Sequence, residues 1–236
     1  MGNKYGDIRY KWLAERGFNV KSDQYQLSYV ESLWDKNKQI IFNNSRSGTG
    51  KTTLAVLTGV YEIELGNYDK LIYIRNAVPV RNQGFLKGDI NEKEAPYMQP
   101  LIDALEYVKQ GTFEAWTNEE DKGNHKVFPT TSSYLRGVNF KNAWILIDES
   151  QNIELHELQT ILTRVHDSCK VVMIGCSLQN DNTTIKLINR YSPFELYIKH
   201  YKEKEYASNH VLHTNYRGDL ANHADDIYET INKLKG

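Results

Sequence analysis

The sequence predicts an α/β protein: a parallel sheet of about five strands with helices on both faces. Two observations carry this. Short runs that are mostly apolar (residues 40–43, Lys70–Ile74, 143–148 and Lys170–Gly175) alternate with segments of helical spacing. A strand that is apolar on both sides needs cover on both sides, which is the pattern of parallel sheets. The first run is also followed at once by Ser45-Arg46-Ser47-Gly48-Thr49-Gly50-Lys51-Thr52 and then by a helical pattern. Strand, glycine loop and helix in that order form a phosphate-binding loop.

The elements follow in order. Residues 1–20 mix polar and aromatic side chains and read as a lead-in. Residues 24–36 carry Leu27, Val30, Leu33 and Trp34 at helical spacing. A strand at 40–43 leads to a helix over 51–65 that stops at Gly66, and Lys70–Ile74 is the next strand. A helix is expected over 95–109, after Pro96. Residues 111–126 are polar and turn-rich, and read as a looped insertion. A short edge strand at 127–128 precedes the runs at 143–148 and Lys170–Gly175, which flank a helix over 154–166. A last strand at 210–213 and a closing helix over 219–234 complete the chain. With no internal repeat, low-complexity tract or linker, 1–236 reads as one domain.

Bulk properties narrow the class. The 236 residues suffice for one generous domain, and 40% apolar with 11% aromatic residues supports a core. A net charge of −1 gives no global field for nucleic acid, so any such contact needs a local patch. The two cysteines, Cys169 and Cys176, match neither a zinc pattern nor a disulfide framework. A reduced, cytoplasmic setting is expected. No stretch is long and apolar enough to span a membrane. The N-terminus has no apolar signal region, and Gly6 stands where myristoylation needs Ser or Thr.

Three stretches carry the chemistry. In the first, Gly48 and Gly50 let backbone N–H groups curl around an anion. Lys51 reaches the β- and γ-phosphates, and the Thr52 hydroxyl holds Mg²⁺. Ser47, Gly48, Thr49, Gly50, Lys51, Thr52 and Thr53 are therefore the nucleotide-binding candidates. The full pattern has Gly at position 45, where this chain has Ser45, which can make the turn if its φ stays negative. In the second, Asp148 and Glu149 end an apolar strand, where ligands bind in open α/β sheets. Asp148 suits the Mg²⁺ shell, and Glu149 suits the attacking water. In the third, Gln179 follows the buried strand Lys170–Gly175, placed to contact the γ-phosphate or that water. The fold these stretches imply is a RecA-like P-loop NTPase core, with the Asp148–Glu149 strand neighbouring the strand of the loop and Gln179 following the next. The plain alternatives are a glycine turn, a strand ending in solvated acids and a surface glutamine.

Together these stretches resemble the PhoH family of P-loop ATPases, related to superfamily 1 helicases. The likeness covers about residues 24–220. It rests on Ser47 to Ala55, Gly84-Phe85-Leu86-Lys87-Gly88-Asp89, Glu92-Lys93 with Pro96-Tyr97, Tyr134-Leu135-Arg136-Gly137, Asp148-Glu149-Ser150-Gln151-Asn152 and Leu162-Thr163-Arg164. The 84–89 block is the most specific. The resemblance implies ATP with Mg²⁺, adenine recognition by Gln26, a homo-oligomeric ring (hexamer favoured), and RNA or single-stranded DNA as the polymer acted on. The chain departs from the family at Ser45, at Asn76 where Pro is usual, and at Cys176 where Asp is usual. Slower hydrolysis is expected from these changes.

A transition state rich in phosphate charge needs a cation. The chain is too short for the second core that supplies one in helicases, so a neighbouring subunit is the expected source. Arg217 is the first candidate, with Arg164 and Arg136 behind it. Arg75, Arg81, Lys87, Trp116, Tyr134 and Arg136 are candidates for tracking a polymer backbone and stacking bases. Two other readings compete with a nucleic-acid ATPase: a slow ATP-dependent switch or assembly factor, and a small-molecule phosphotransferase. The last lacks an Arg-rich lid segment.

Overall fold

The computed structural model describes residues 4–75, 90–135, 137–178 and 187–234. Six strands form its sheet, one more than about five: β1 (Ile40–Asn44), β2 (Lys70–Ile74), β3 (Val127–Thr130), β4 (Ala143–Ile147), β5 (Lys170–Gly175) and β6 (Ala207–His210). Their order is β3-β2-β4-β5-β1-β6, and every pairing is parallel. The strand bearing Asp148 and Glu149 is therefore not beside β1, as expected from sequence. β5 lies between them, which makes room for a ligand between loop and acids.

The helices are α1 (Lys4–Glu15), α2 (Gln24–Trp34), α3 (Lys51–Glu64), α4 (Ile90–Glu106), α5 (Thr112–Thr117), α6 (Leu155–Leu162), α7 (Pro193–Tyr201), α8 (Asp219–Asp225) and α9 (Ile227–Leu234). Strand side chains alternate between two cores, as the pleat requires. Ile41, Leu71, Tyr73, Trp144, Leu146, Val172 and Ile174 face α1 to α4. Ile40, Phe42, Ile72, Ile74, Ile145, Ile147, Val171 and Met173 face the other way, towards α6 and α7. Each such residue contributes about 1.5–3 kcal/mol on full burial.

Helix starts follow local chemistry. The Asp23 carboxylate accepts the N–H groups of Tyr25 and Gln26, capping α2. Capping boxes, Glu154 with Glu157 and Ser192 with Glu195, begin α6 and α7, and Pro193 takes the first turn of α7. At the far end of α2, the buried Lys170 ammonium donates to the Leu33 and Asp35 carbonyls at 2.8 and 2.6 Å. Burial pulls its pKa down to about 8 against the opposing pull of Asp35 and Glu62.

Several expected elements are redrawn. The lead-in forms α1, held by the Arg9–Glu62 ion pair at 3.3 Å and by Trp12 set edge-on to Tyr61. Within 111–126 lies α5, whose Phe113 and Trp116 pack on the core; two turns are too short to show a period. α4 begins before Pro96 and runs through Pro100, because Met98, Leu101, Ala104 and Leu105 bury a face against the core. The last strand lies earlier than 210–213. The closing helix is two, parted at Asp226, whose carboxylate meets Arg46 at 2.5 Å.

Candidate nucleotide site

The loop after β1 is tied at its base. Ser45 N–H donates to the Gly175 carbonyl at 3.1 Å. Its hydroxyl donates to Asn43 Oδ1 and accepts the Leu212 N–H at 2.8 Å. Ser45 is not among the described residues with positive φ, so it needs no glycine there. The change from Gly adds a hydroxyl that binds the loop to the chain leaving β6.

Positive φ falls at Gly48 (78°) and Gly50 (82°), where a side chain is strained. A Cβ at Gly48 would also lie 2.9 Å from Asn215 Cγ and 3.0 Å from Arg217 Cδ. α2 braces the loop from one side: Gln26 Nε2 donates to the Thr49 carbonyl at 3.2 Å, and the Tyr29 hydroxyl to the Lys51 carbonyl at 3.3 Å. The Lys51 ammonium rests on the Arg46 carbonyl at 3.2 Å. Its helix α3 directs an N-terminal end, with unpaired N–H groups, into the same space.

Asp148 and Glu149 follow β4. Asp148 Oδ2 accepts the Tyr73 hydroxyl at 2.6 Å, and Oδ1 accepts the Glu149 N–H at 2.9 Å. Burial raises the Asp148 pKa; the Glu149 carboxylate adds to this, while Arg75, Tyr73 and Lys51 oppose it. Glu149 adopts a left-handed backbone (φ 51°), which costs a non-glycine residue about 1 kcal/mol or more. It is held there: Glu149 Oε2 accepts Gln151 Nε2 at 2.6 Å, and Gln151 Oε1 accepts the Cys176 N–H at 3.0 Å. A Cβ at Gly175 would lie 2.5 Å from Gln151 Oε1, so glycine is required for this approach. Position 176 thus serves the acids through its backbone, while the Cys176 side chain is buried.

A cleft of about 760 Å³ joins loop and acids. Of the expected residues, Gln26, Ser47, Gly48, Gly50, Lys51, Thr52, Thr53, Asp148, Glu149 and Arg217 line it. Thr49 is buried behind the loop, its hydroxyl donating to the Arg46 carbonyl at 3.0 Å. Arg217, expected from a neighbouring subunit, lies over its own chain's loop, where Tyr216 N–H donates to the Gly48 carbonyl at 2.9 Å. Arg164 is not at the cleft: its guanidinium donates to the Leu135 carbonyl at 2.9 Å. Gln179, Asn76, Arg81, Lys87, Arg136 and the 84–89 block lie outside the described residues, as does the Tyr134 side chain. Trp116 is half-buried on the core, with the Lys126 ammonium 5.1 Å from its ring centre.

Other cleft residues escaped sequence reasoning. Arg75, a candidate for polymer contact in the sequence, lies beside the acids and lines the cleft, a position no local motif indicated. Phe18 and Asn19 of the expected lead-in line the cleft, with Phe18 set edge-on to Tyr107 of the chain after α4 at 5.0 Å between ring centres. Gln151 was visible as part of a motif, but its partner Cys176 comes from another strand.

The loop suits a bound triphosphate, since its two left-handed positions carry no side chain where an anion must approach closely. The donor set suits Mg²⁺: a hydroxyl on Thr52 and a carboxylate on Asp148 line one cleft, and both are oxygen donors. A glycine loop at a helix start, facing acids on a strand one removed in a parallel sheet, defines a P-loop nucleotide-binding protein.

Within that class the chain belongs to the PhoH-like family, which it matches over residues 20–229. Protein PhoH2 of Bacillus subtilis is 34% identical over 179 residues, covering 73% of this chain and 39% of that protein. Protein PhoH of Escherichia coli K12 is 30% identical over 160 residues, covering 67% and 44%. A PhoH-like protein of Mycobacterium tuberculosis H37Rv is 33% identical over 171 residues, covering 72% and 47%. The chain therefore spans less than half the length of these relatives. Among the described residues, no helix is long and apolar enough to cross a membrane. Both cysteines are free and buried.

Proposed function

We propose that this protein is a Mg²⁺-dependent ATPase that remodels RNA or single-stranded DNA. The observation that carries the reading is the convergence of Lys51, Thr52, Asp148, Glu149 and Arg217 on one cleft. Lys51 and the α3 N–H groups bind the phosphates. Thr52 and Asp148 would hold Mg²⁺, which would supply positive charge to offset that of the phosphates. Glu149 takes a proton from the attacking water, oriented by Gln151. Arg217, over Gly48, stabilises charge that develops on the phosphates. Gln26 presents its remaining amide face to adenine, and Gln179 senses the γ-phosphate.

With Arg217 acting in its own chain, a homo-oligomeric ring is argued from the family resemblance alone. The polymer rests on that resemblance too. A slow ATP-dependent switch is the second reading, favoured by one observation: Glu149 is engaged by both Gln151 and Arg75, which restrains it as a base. ATP turnover with Mg²⁺, measured with and without saturating single-stranded RNA and DNA, separates the two. Stimulation by either polymer supports the remodelling ATPase. Turnover unchanged by both supports the switch.

A further inference from the structure

We propose that Arg75 is the resident counter-ion of the Asp148–Glu149 pair, a positioning residue that lets a polyphosphate enter the cleft before metal neutralises the acids. The inference rests on the nucleotide reading of this cleft.

The register sets the geometry. β2 and β4 are parallel, with Ile74 opposite Ile147, so the next residues, Arg75 and Asp148, face each other at the strand ends. The Arg75 N–H donates to the Thr130 carbonyl at 3.1 Å, which fixes its backbone to the edge strand. From there the guanidinium spans both acids, with Nη1 3.6 Å from Asp148 Oδ2 and Nη2 3.8 Å from Glu149 Oε1. Among the described residues, no other cation lies within ion-pair range of either acid. Lys51 instead rests on the Arg46 carbonyl.

Both separations exceed hydrogen-bonding length, so the contact with the acids is one of charge, while the Tyr73 hydroxyl also engages the guanidinium. The Arg75 side chain is 19% exposed and lines the same cleft as Lys51 and Thr52. In such a partly enclosed cleft charges are weakly screened. Two adjacent carboxylates without a counter-ion would repel each incoming phosphate. Arg75 offsets one of the two negative charges and stays in the cleft that the terminal phosphate would enter.

The test is binding of a fluorescent ATP analogue in EDTA and in Mg²⁺. Arg75→Gln is expected to weaken binding about tenfold or more in EDTA and less than about threefold in Mg²⁺, because metal substitutes for the lost charge. Arg75→Lys should restore most of the EDTA affinity. Adding Glu149→Gln to Arg75→Gln should also restore it, and this double variant leaves fewer uncompensated charges if the single variant folds poorly. An equal loss in both conditions, an unchanged EDTA affinity in Arg75→Gln, or no rescue by Glu149→Gln overturns the role of Arg75. A wild-type protein that binds no analogue even in Mg²⁺ overturns the nucleotide reading beneath it.

Discussion

At the residue scale, the cleft depends on a few positions whose conformation or partners are fixed by the fold. Gly48 carries both a left-handed backbone and the segment of Asn215 and Arg217 packed against it. Gly48→Ala is expected to weaken nucleotide affinity by at least about tenfold, through strain and displacement of that segment. Lys51→Ala should abolish nucleotide binding or turnover, and fluorescence titration checks both variants. Gln151 links Glu149 to the tip of β5, so Gln151→Ala should lower kcat about tenfold and leave KM within about twofold. A matched rise in KM would make Gln151 a binding residue instead. Lys51, Asp148 and Glu149 could be named from sequence because their motifs are contiguous. Arg75 could not, because its role follows from β2 lying beside β4, which no local pattern states. Arg217 was visible as a candidate, but its placement over its own chain's loop follows from β6 lying beside β1.

At the element scale, the sheet was legible because mostly apolar strands alternate with helical spacing, and the structure turns that pattern into two cores. The elements missed were those with weak local signals: α1, which is mixed polar and aromatic, and α5, which is two turns long. Strand order was also hidden, since nothing in the chain records that β5 inserts between β1 and β4. One packing device invites a direct test. Lys170 is buried against the end of α2, where its pKa of about 8 lies below the usual lysine value. A pKa depressed in the folded state means that the unfolded chain binds more protons between the two values. Stability therefore rises with pH across that window, from about 8 towards about 10.5. The full effect is on the order of 3 kcal/mol. Urea unfolding at pH 7.5 and 9.5 should show the wild type gaining stability relative to Lys170→Met. A difference that does not change with pH would contradict the assignment.

At the scale of the whole molecule, the described residues place a loop, two acids and three arginines (Arg16, Arg75 and Arg217) from one chain around one cleft. One chain thus brings its own cations to the cleft, and the ring proposed from the family resemblance is tested as a question of assembly. Light scattering with ATP and Mg²⁺ decides it: a mass several times that of one chain supports the ring, and full activity at the mass of one chain excludes it as a requirement. The relatives are more than twice as long as the stretch they share with this chain, so their activities as whole proteins remain proposals for it. The most direct test of ATP hydrolysis here is the nucleotide retained by Glu149→Gln after incubation with ATP and Mg²⁺. Bound ATP should persist while turnover falls by about 10²–10³-fold. A variant that turns ATP over at the wild-type rate would contradict the catalytic role given to Glu149 and the hydrolytic site built around it.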